Sequence, residues 1–533
     1  MKLAELLNVL SPVYVSEFGD AEQVLLYGAA LDSRKVDPGD VFFALEAKAL
    51  TSEGDIPADV RPQFIAAAIK SGAQVVVSDE GLDLQSLPID DYARLKTVFV
   101  KVKNPELAFA QIAFRFVQKT PQGIAAVTGT NGKTSTVSIL RDIWRDVGRD
   151  AYSLGTLGLI SDEEHNHLAA GLTTPQPDAF CKILREIAER HPQAFLVVEA
   201  SSQGLNEERL SSVELDVAAF SNLTRDHLDY HRYNREMKTK EGEDEAFDRY
   251  FRCKQKLFLE RLKKGGAAVI NLDDPKAPEL MSKISKQRPD IRILTCSGKL
   301  STSDFFVERS KQIEQGIEMS IRHGTSTAAV TLPLFGAFQS DNAVLAVGMA
   351  VASGVPFLEA VAALRNVRPV RGRMELVGKT LSGGLVYVDY AHTDDALRSI
   401  LVGAREAFPG RHISIVFGAG GNRDGGKRPR MGKVASELAD RVFITDDNPR
   451  KEDPNAIRGE VMNGITAKGA QMTTLSLAPR DRAIERAVAE LPPNGILLIA
   501  GKGHEDYQEI SGRKFPFDDS SVARRFIFKS ATG

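Results

Sequence analysis

Cysteine is scarce in this chain. Cys181, Cys253 and Cys296 are the only three in 533 residues, far apart and without metal spacing, which argues against a disulfide framework or a zinc site. Long apolar runs are also missing, and none approaches the roughly 18–20 residues of a membrane-spanning helix. The opening stretch "MKLAELLNVLSPVYVSEFGD" has one lysine and a short, interrupted apolar segment, so it reads as an amphipathic helix rather than a secretion signal. Charge of one sign is lacking too. Lys and Arg number 68 against 71 Asp and Glu, a net of −3, which gives no reason to expect nucleic acid or an acidic membrane surface as a partner. The expected location is the cytoplasm.

What remains is an ordinary globular composition, 43% hydrophobic and 26% charged. The chain is too long for one core. Strand-like pieces ("DVFFAL", "AQVVVSD", "KTVFVKV") alternate with helical ones up to "PELAFAQIAFRFVQ", which predicts a small α/β domain over 1–118. A second α/β region, 119–367, has the short apolar runs "AFLVVEAS", "LDVAAFSNL" and "GAAVINLDD", as buried parallel strands should. After "NVRPVRGRMELVG" a third unit, 368–533, alternates strands ("GLVYVDYA", "HISIVFGAG", "DRVFITDD", "GILLIAGKG") with helices. The charged run "REMKTKEGEDEAFDR" (235–249) reads as a solvated, looped-out surface segment.

The chemistry starts at "VTGTNGKTS" (127–135). A strand-like run precedes it, and Val137, Leu140 and Trp144 follow with the spacing of one helix face. A strand, a glycine loop and a helix N-terminus together make an anion site, with backbone N–H groups and the helix dipole facing the phosphates. Lys133 is placed for the β/γ-phosphates and the Thr134 hydroxyl for Mg²⁺. The loop departs from the strict G-x-x-x-x-G-K-[ST] pattern, because Val127 stands where the first glycine belongs and Gly129 tightens it to G-T-N-G-K-T. An ordinary Gly-rich turn is the alternative on the loop alone.

Other stretches cluster at predicted strand ends. "VVEASSQGLNEERL" puts Glu199 where a carboxylate meets a metal or caps the next helix. "SNLTRDHLDYH" packs Arg225, Asp226, His227, Asp229 and His231 into seven residues. "GAGGNRDGGKRPRMG" (418–432), with Arg423, Lys427, Arg428 and Arg430, has an anion-binding composition. "VDYAHTDDAL", "DDNPRKEDP" and "AGKGHEDYQ" add His392, Arg450 and carboxylates. Together they describe an interdomain site for ATP, anions and something zwitterionic.

"TGTNGKTS", "TTP", "EASS", "SNLTRDHLDYH", "NLDDP", "GRME", "VDYAHT", "GNRDGGKRP", "DNPR" and "GKGHE" stand in the order seen in the Mur ligases, and the sequence resembles that family over nearly its whole length. "LDSRKVDPGDVFFAL" (31–45) matches the UDP-binding N-terminal domain of the branch that adds the third peptide residue to the peptidoglycan precursor. The resemblance implies a P-loop-type ATPase domain in the centre and a Rossmann-like C-terminal domain. It implies ATP-dependent amide formation on UDP-MurNAc-L-Ala-D-Glu through an acyl phosphate, with ATP and Mg²⁺ required; a monomer is expected.

The same resemblance assigns residues. Gly129, Thr130, Asn131, Gly132, Lys133, Thr134 and Ser135 would hold ATP, with Asn271, Asn342, Arg373 and His392 at adenine, ribose or phosphates. Thr134, Glu199 and His227 would hold Mg²⁺. Lys254, in "YFRCKQKLF", matches a lysine that the family carbamylates to hold a second Mg²⁺, whereas by residue type it reads as a plain surface lysine. Leu31, Ser33, Thr173, Thr174, Ser201 and Arg209 would contact the nucleotide-sugar. "DNPR" (Asp447, Asn448, Pro449, Arg450) is the signature of variants that add meso-diaminopimelate. A guanidinium fork suits that substrate's second carboxylate, so Arg450 and Arg423 would take it, with Glu505 and Asp447 or Asn448 facing the ammonium beside Gly501.

Three features depart from the family pattern. Gln203 replaces a usual histidine and is given no catalytic role. "EAKALTSEGD" (46–55) replaces a glycine-rich stretch, which puts uridine contacts around Lys48 to Leu50 in doubt. The segment before Lys254 is about a dozen residues longer than usual. The competing readings are a lysine-adding or folate-polyglutamylating ligase of the same superfamily, and a binding protein without catalysis. Closure of the central and C-terminal domains on each other is expected, since ATP and the amino acid lie on different domains.

Overall fold

The computed structural model describes residues 1–16, 23–45, 61–117, 119–161, 165–166, 172–224, 240–313, 315–465 and 473–532. Its strands form three large sheets and one hairpin. The first sheet runs in the order Tyr14–Val15, Val98–Lys101, Val75–Ser78, Val41–Ala44, Ala29–Ala30, parallel except at the Tyr14 edge. Its inner strands are buried on both faces, as β-branched and aromatic runs require. Phe43 meets Phe109 of the helix Pro105–Arg115 at 5.1 Å.

The central sheet has eleven described strands. Its parallel heart is Arg292–Ser297, Leu262–Asn271, Leu215–Phe220, Gly123–Thr128, Phe195–Glu199 and Ala151–Gly155, in that spatial order. Register aligns Glu199 with Val127 and Phe220 with Thr128, so the strands end together beside the glycine loop. The helix Lys133–Asp146 is covered almost all round, with Val137, Leu140 and Trp144 each at most 2% exposed. A six-stranded third sheet follows the order Glu375–Lys379, Leu385–Asp389, Ile496–Ala500, Ile413–Phe417, Arg441–Ile444, Thr473–Ser476, antiparallel only at the first pair. The architecture is α/β throughout. Site loops leave the carboxyl ends of the parallel strands, where open α/β sheets bind ligands.

One expectation is corrected. Of the expected surface loop 235–249, residues 235–239 lie outside the described residues, and 240–249 are no loop but the first half of the helix Lys240–Leu259. The run is rich in helix formers, Ala246 and Tyr250 fall four apart on a buried face, and Glu245 pairs with Arg249 at 3.4 Å. The antiparallel extension Phe305–Ile313, Gly316–His323 and Ser326–Leu332 was not anticipated. Its edge strand is short of large apolar side chains, with only Ala328 and Val330 half-buried and Leu332 buried between exposed residues, a weak signal of sheet.

Candidate active site

The glycine loop is built from both sides. The strand Gly123–Thr128 is buried at every position, and Gly132, at φ 84°, turns the chain into the helix. A side chain there would place Cβ 2.3 Å from Asn342 Oδ1, so only glycine fits. The loop is tied to the neighbouring strand end: Thr130 N donates to Asn222 O at 2.9 Å, Asn131 N to Asn222 Oδ1 at 2.9 Å, and Ser221 Oγ to Asn131 O at 2.7 Å. Thr130 Oγ1 lies 3.0 Å from Tyr250 OH. Lys133 Nζ folds back to donate to Gly129 O at 2.9 Å and Thr130 O at 2.8 Å. Thr134 and Ser135, both buried, open the helix, whose first N–H groups point out of its end.

Glu199 sits beside this loop and is 1% exposed. Oε2 accepts from Thr134 Oγ1 at 3.1 Å and from Thr156 Oγ1 at 3.2 Å, while Oε1 accepts from Thr156 N at 3.0 Å. Gly155 makes room for it, since a Cβ there would stand 2.1 Å from Oε1. Thr173 Oγ1 lies 3.1 Å from Thr156 Oγ1, and Thr174 Oγ1 donates to Glu199 O at 2.8 Å. Ser201 N donates to Thr174 Oγ1 at 3.0 Å, and Arg209 Nη1 to Thr174 O at 2.7 Å. Four of the six nucleotide-sugar candidates therefore form one group around Glu199. Leu31 and Ser33 lie in the first unit, and among the described residues no hydrogen bond links them to that group. Gln203 joins the group indirectly: its Nε2 donates to Glu207 Oε1 at 2.9 Å, and Glu207 Oε2 takes Arg209 Nε at 3.0 Å.

Lys254 is not a surface lysine. It is 1% exposed, its Nζ lies 4.4 Å from the Tyr250 ring centre, and it donates to Gly129 O at 2.7 Å. His227 lies outside the described residues, as do Arg225, Asp226, Asp229, His231 and Lys48 to Leu50.

Two of the adenine or phosphate candidates reach the loop and a third reaches the strand end tied to it. Asn271 Nδ2 donates to Ser221 O at 2.8 Å, Asn342 faces Gly132, and Arg373 Nη2 donates to Thr134 Oγ1 at 3.0 Å. Arg373 lies 4.6 Å over the Tyr390 ring, which also packs against His392 at 4.6 Å and His504 at 5.1 Å. His392 Nδ1 is 2.9 Å from Tyr390 O. Burial, then the Arg373 and Arg371 charges, push the His504 imidazole down to about 3.

The third-sheet candidates form a second network. Asp447 Oδ1 accepts Asn448 N at 2.7 Å. Burial works to raise the Asp447 carboxyl, but the Lys502 and Arg480 charges prevail and hold it below its ordinary value. Asn448 Nδ2 donates to Glu505 Oε2 at 2.9 Å, and the fully buried Lys502 donates to the same oxygen at 2.9 Å. Glu505, expected to face an ammonium, thus already meets an internal one. A Cβ at Gly501 would stand 2.6 Å from Asp447 Oδ2, and one at Gly421 would stand 2.0 Å from Pro449 O, so the loops at 421, 447–450 and 501 interlock. Arg450 adopts φ 52° and donates from Nη1 to Gly421 O at 2.8 Å. Arg423, exposed, flanks Gly420 next to it. Lys502 and Arg480 escaped the sequence reading. Lys502 lies inside "GKGHE" and was within reach, but Arg480 sits in an unremarkable helix start. Its burial against Asp519 at 2.7 Å depends on packing alone.

The chain matches the Mur ligase middle domain over residues 127–350 and the Mur ligase glutamate ligase domain over 372–503. It is 38% identical over 533 residues, all of both chains, to a protein of Mesorhizobium japonicum named UDP-N-acetylmuramoyl-L-alanyl-D-glutamate–2,6-diaminopimelate ligase. A solved structure of a ligase of that name shares 28% identity at a TM-score of 0.66, covering 100% of this chain and 99% of that one. A MurF ligase from Thermotoga maritima in complex with ADP has the same fold, at a TM-score of 0.59 and 15% identity over 96% of this chain and 99% of that one. With the glycine loop and the three-sheet architecture already in place, these likenesses establish that the chain belongs to the Mur ligase family.

Proposed function

We propose that the protein is an ATP-dependent amide ligase of peptidoglycan synthesis that joins meso-diaminopimelate to the terminal D-Glu carboxylate of UDP-MurNAc-L-Ala-D-Glu. We take it as a monomer of three domains, 1–118, 119–367 and 368–533, acting in the cytoplasm. Among the described residues no helix is long and apolar enough to cross a membrane.

The chemistry follows from the groups in place. A carboxylate is a poor electrophile, so the γ-phosphoryl of ATP moves to it first, and the amine then displaces phosphate from the acyl phosphate. The protein's part is positioning and charge neutralisation. Lys133, now on the carbonyls of Gly129 and Thr130, turns its ammonium to the β/γ-phosphates. Gly129 to Ser135 supply backbone N–H donors, and Asn271, Asn342 and His392 border the nucleotide. Arg373 carries a further charge to Thr134 from the third unit. Thr173, Thr174, Ser201 and Arg209, with Leu31 and Ser33, hold the nucleotide-sugar so that its carboxylate faces the γ-phosphate.

The residues fit a magnesium ion. Glu199 is a buried carboxylate whose partners among the described residues are hydroxyls and an amide rather than a cation, and Thr134 Oγ1 stands 3.1 Å from it. Thr134, Glu199, His227 and a carbamylated Lys254 would hold Mg²⁺, which neutralises charge on the transferring phosphoryl group.

The specificity rests on Arg450 and Arg423 taking the distal carboxylate, with Asp447, Asn448, Pro449, Gly501 and Glu505 shaping the ammonium side. The observation that carries the ligase reading is the Arg373–Thr134 bond, because it couples the phosphate loop to the unit bearing that second network. The test is phosphate release with UDP-MurNAc-L-Ala-D-Glu, ATP and Mg²⁺, comparing meso-diaminopimelate, L-lysine and no amino acid. Release with meso-diaminopimelate alone is expected. Equal release with lysine removes the specificity assignment, and none with either removes the ligase.

A further inference from the structure

The hairpin Tyr507–Ile510 and Arg513–Pro516 lies outside the large sheets, yet its first strand follows the Asp447–Arg450 loop almost residue by residue. Gln508 Nε2 donates to Asp447 O at 2.6 Å, and Glu509 N donates to Asn448 Oδ1 at 2.9 Å. Arg450 N donates to Glu509 O at 3.0 Å, and Ser511 N to Arg450 O at 2.6 Å. Arg450 therefore bridges to this strand as a short parallel ladder around Ile510. The ladder holds Arg450 in the left-handed region at φ 52°, which a long side chain rarely adopts without such support.

Glu509 also touches the arginine's head. Its Oε2 lies 3.3 Å from Arg450 Nε, with both side chains largely buried at 16% and 21% exposure. Nη1 is engaged by Gly421 O at 2.8 Å. Nη2 has no partner among the described residues. A guanidinium is a planar fork of five N–H donors, so the ion pair beside Nε and the hydrogen bond from Nη1 hold it from two sides and set where the remaining donors point.

From this geometry we infer that Glu509 is a positioning residue for amino-acid selection: it locks the Arg450 guanidinium so that its Nη2 end presents a rigid fork to a substrate carboxylate. The inference rests on the assignment of Arg450 to substrate made above. It differs from the alternative that Glu509 merely occupies Arg450 as an internal rival of the substrate, and the two make opposite predictions. A positioning carboxylate, when removed, weakens substrate binding. A rival, when removed, strengthens it.

The experiment measures KM and kcat for meso-diaminopimelate, and KM for ATP, in the wild-type chain, Glu509→Gln, Glu509→Asp, Arg450→Ala and the Glu509→Gln/Arg450→Ala double variant. The KM for the amino acid should rise about tenfold in Glu509→Gln while kcat falls less and KM for ATP stays put. Glu509→Asp should recover part of the loss. In the Arg450→Ala background the Glu509 substitution should have no further effect on KM, because a residue that acts through another contributes nothing once that other is gone. A general weakening of the fold would instead move KM for ATP as well and add to the Arg450→Ala loss. An unchanged or lowered KM in Glu509→Gln, or additive losses, overturns the inference while leaving the ligase reading intact. A wild-type chain that does not use meso-diaminopimelate removes the Arg450 assignment and this inference with it.

Discussion

Lys133 and Lys254 bring their ammonium groups to the same atom, the carbonyl oxygen of Gly129, at 2.9 and 2.7 Å. One comes from the start of the loop's own helix and the other from the middle of the helix Lys240–Leu259. Lys254 is 1% exposed and Lys133 half-buried, and like charges sharing one carbonyl repel each other, a repulsion that an added anion or a change in one of them lowers. Phosphate is the anion that the proposed function brings to the loop. Carbamylation of Lys254 is the change the family resemblance implies, and it would turn the repulsion into attraction. With ¹³C-labelled bicarbonate, the wild-type chain should show a carbamate resonance that Lys254→Ala lacks. Activity of Lys254→Ala should fall by about 10²-fold or more. A wild-type spectrum identical to that of the variant would count against the modification.

Lys133→Ala should keep the fold, since alanine suits the first helical position, but lose at least about 10³-fold in kcat as the phosphate clamp goes. Circular dichroism and steady-state kinetics on one preparation separate the two effects. A loss below tenfold would mean that Lys133 remains on the loop carbonyls during turnover.

Arg373→Ala should raise KM for ATP and lower kcat together, by about 10–100-fold in kcat/KM, because it removes both a charge and a link between the second and third units. Arg373→Lys should recover little, since a lysine cannot both lie flat on Tyr390 and reach Thr134 Oγ1. Full activity in the lysine variant would reduce Arg373 to a point charge.

Gly155→Ala puts a methyl group where Glu199 Oε1 now stands, 2.1 Å from the ideal Cβ. The carboxylate must move, and displacement by about 1 Å is enough for a 10²-fold loss in rate. The Mg²⁺ concentration for half-maximal activity should rise with it. A variant with unchanged Mg²⁺ dependence would show that Glu199 plays no part in holding the ion.

His504 carries a folded-state pKa of about 3 against an ordinary value of 6.5, and its Nδ1 is buried without a hydrogen-bond partner among the described residues. Between those values the unfolded chain binds a proton that the folded chain refuses, so stability falls as the pH drops below 6.5. His504→Gln removes this term. The melting temperature of the variant should gain on the wild type by at least about 2 °C as the pH is lowered from neutrality to about 5. The pH–rate profile near neutrality should not contain a His504 step. A difference between the two proteins that stays constant with pH would contradict the assignment.

The sequence made the parallel strands plain, because runs such as "AFLVVEAS" and "LDVAAFSNL" are apolar on both faces and can only be interior. The glycine loop was equally legible from its neighbours. Lys254 was not, since nothing in a lysine within a charged helix announces that Tyr250 and Gly129 will cover it. Glu509 and Arg480 escaped for a similar reason: each acts on the Asp447–Arg450 loop from a segment distant in sequence or bland in composition. Gln203 looked like the loss of a functional histidine. Its amide instead orients Glu207, which in turn holds Arg209.

The most direct test of the central claim follows an oxygen atom. UDP-MurNAc-L-Ala-D-Glu labelled with ¹⁸O in the terminal D-Glu carboxylate is incubated with ATP, Mg²⁺ and meso-diaminopimelate, and the released phosphate is weighed by mass spectrometry. Transfer of phosphoryl to the carboxylate, followed by amine attack, carries one labelled oxygen into phosphate for each amide formed. Unlabelled phosphate, or phosphate released without the amide, would contradict ligation through an acyl phosphate.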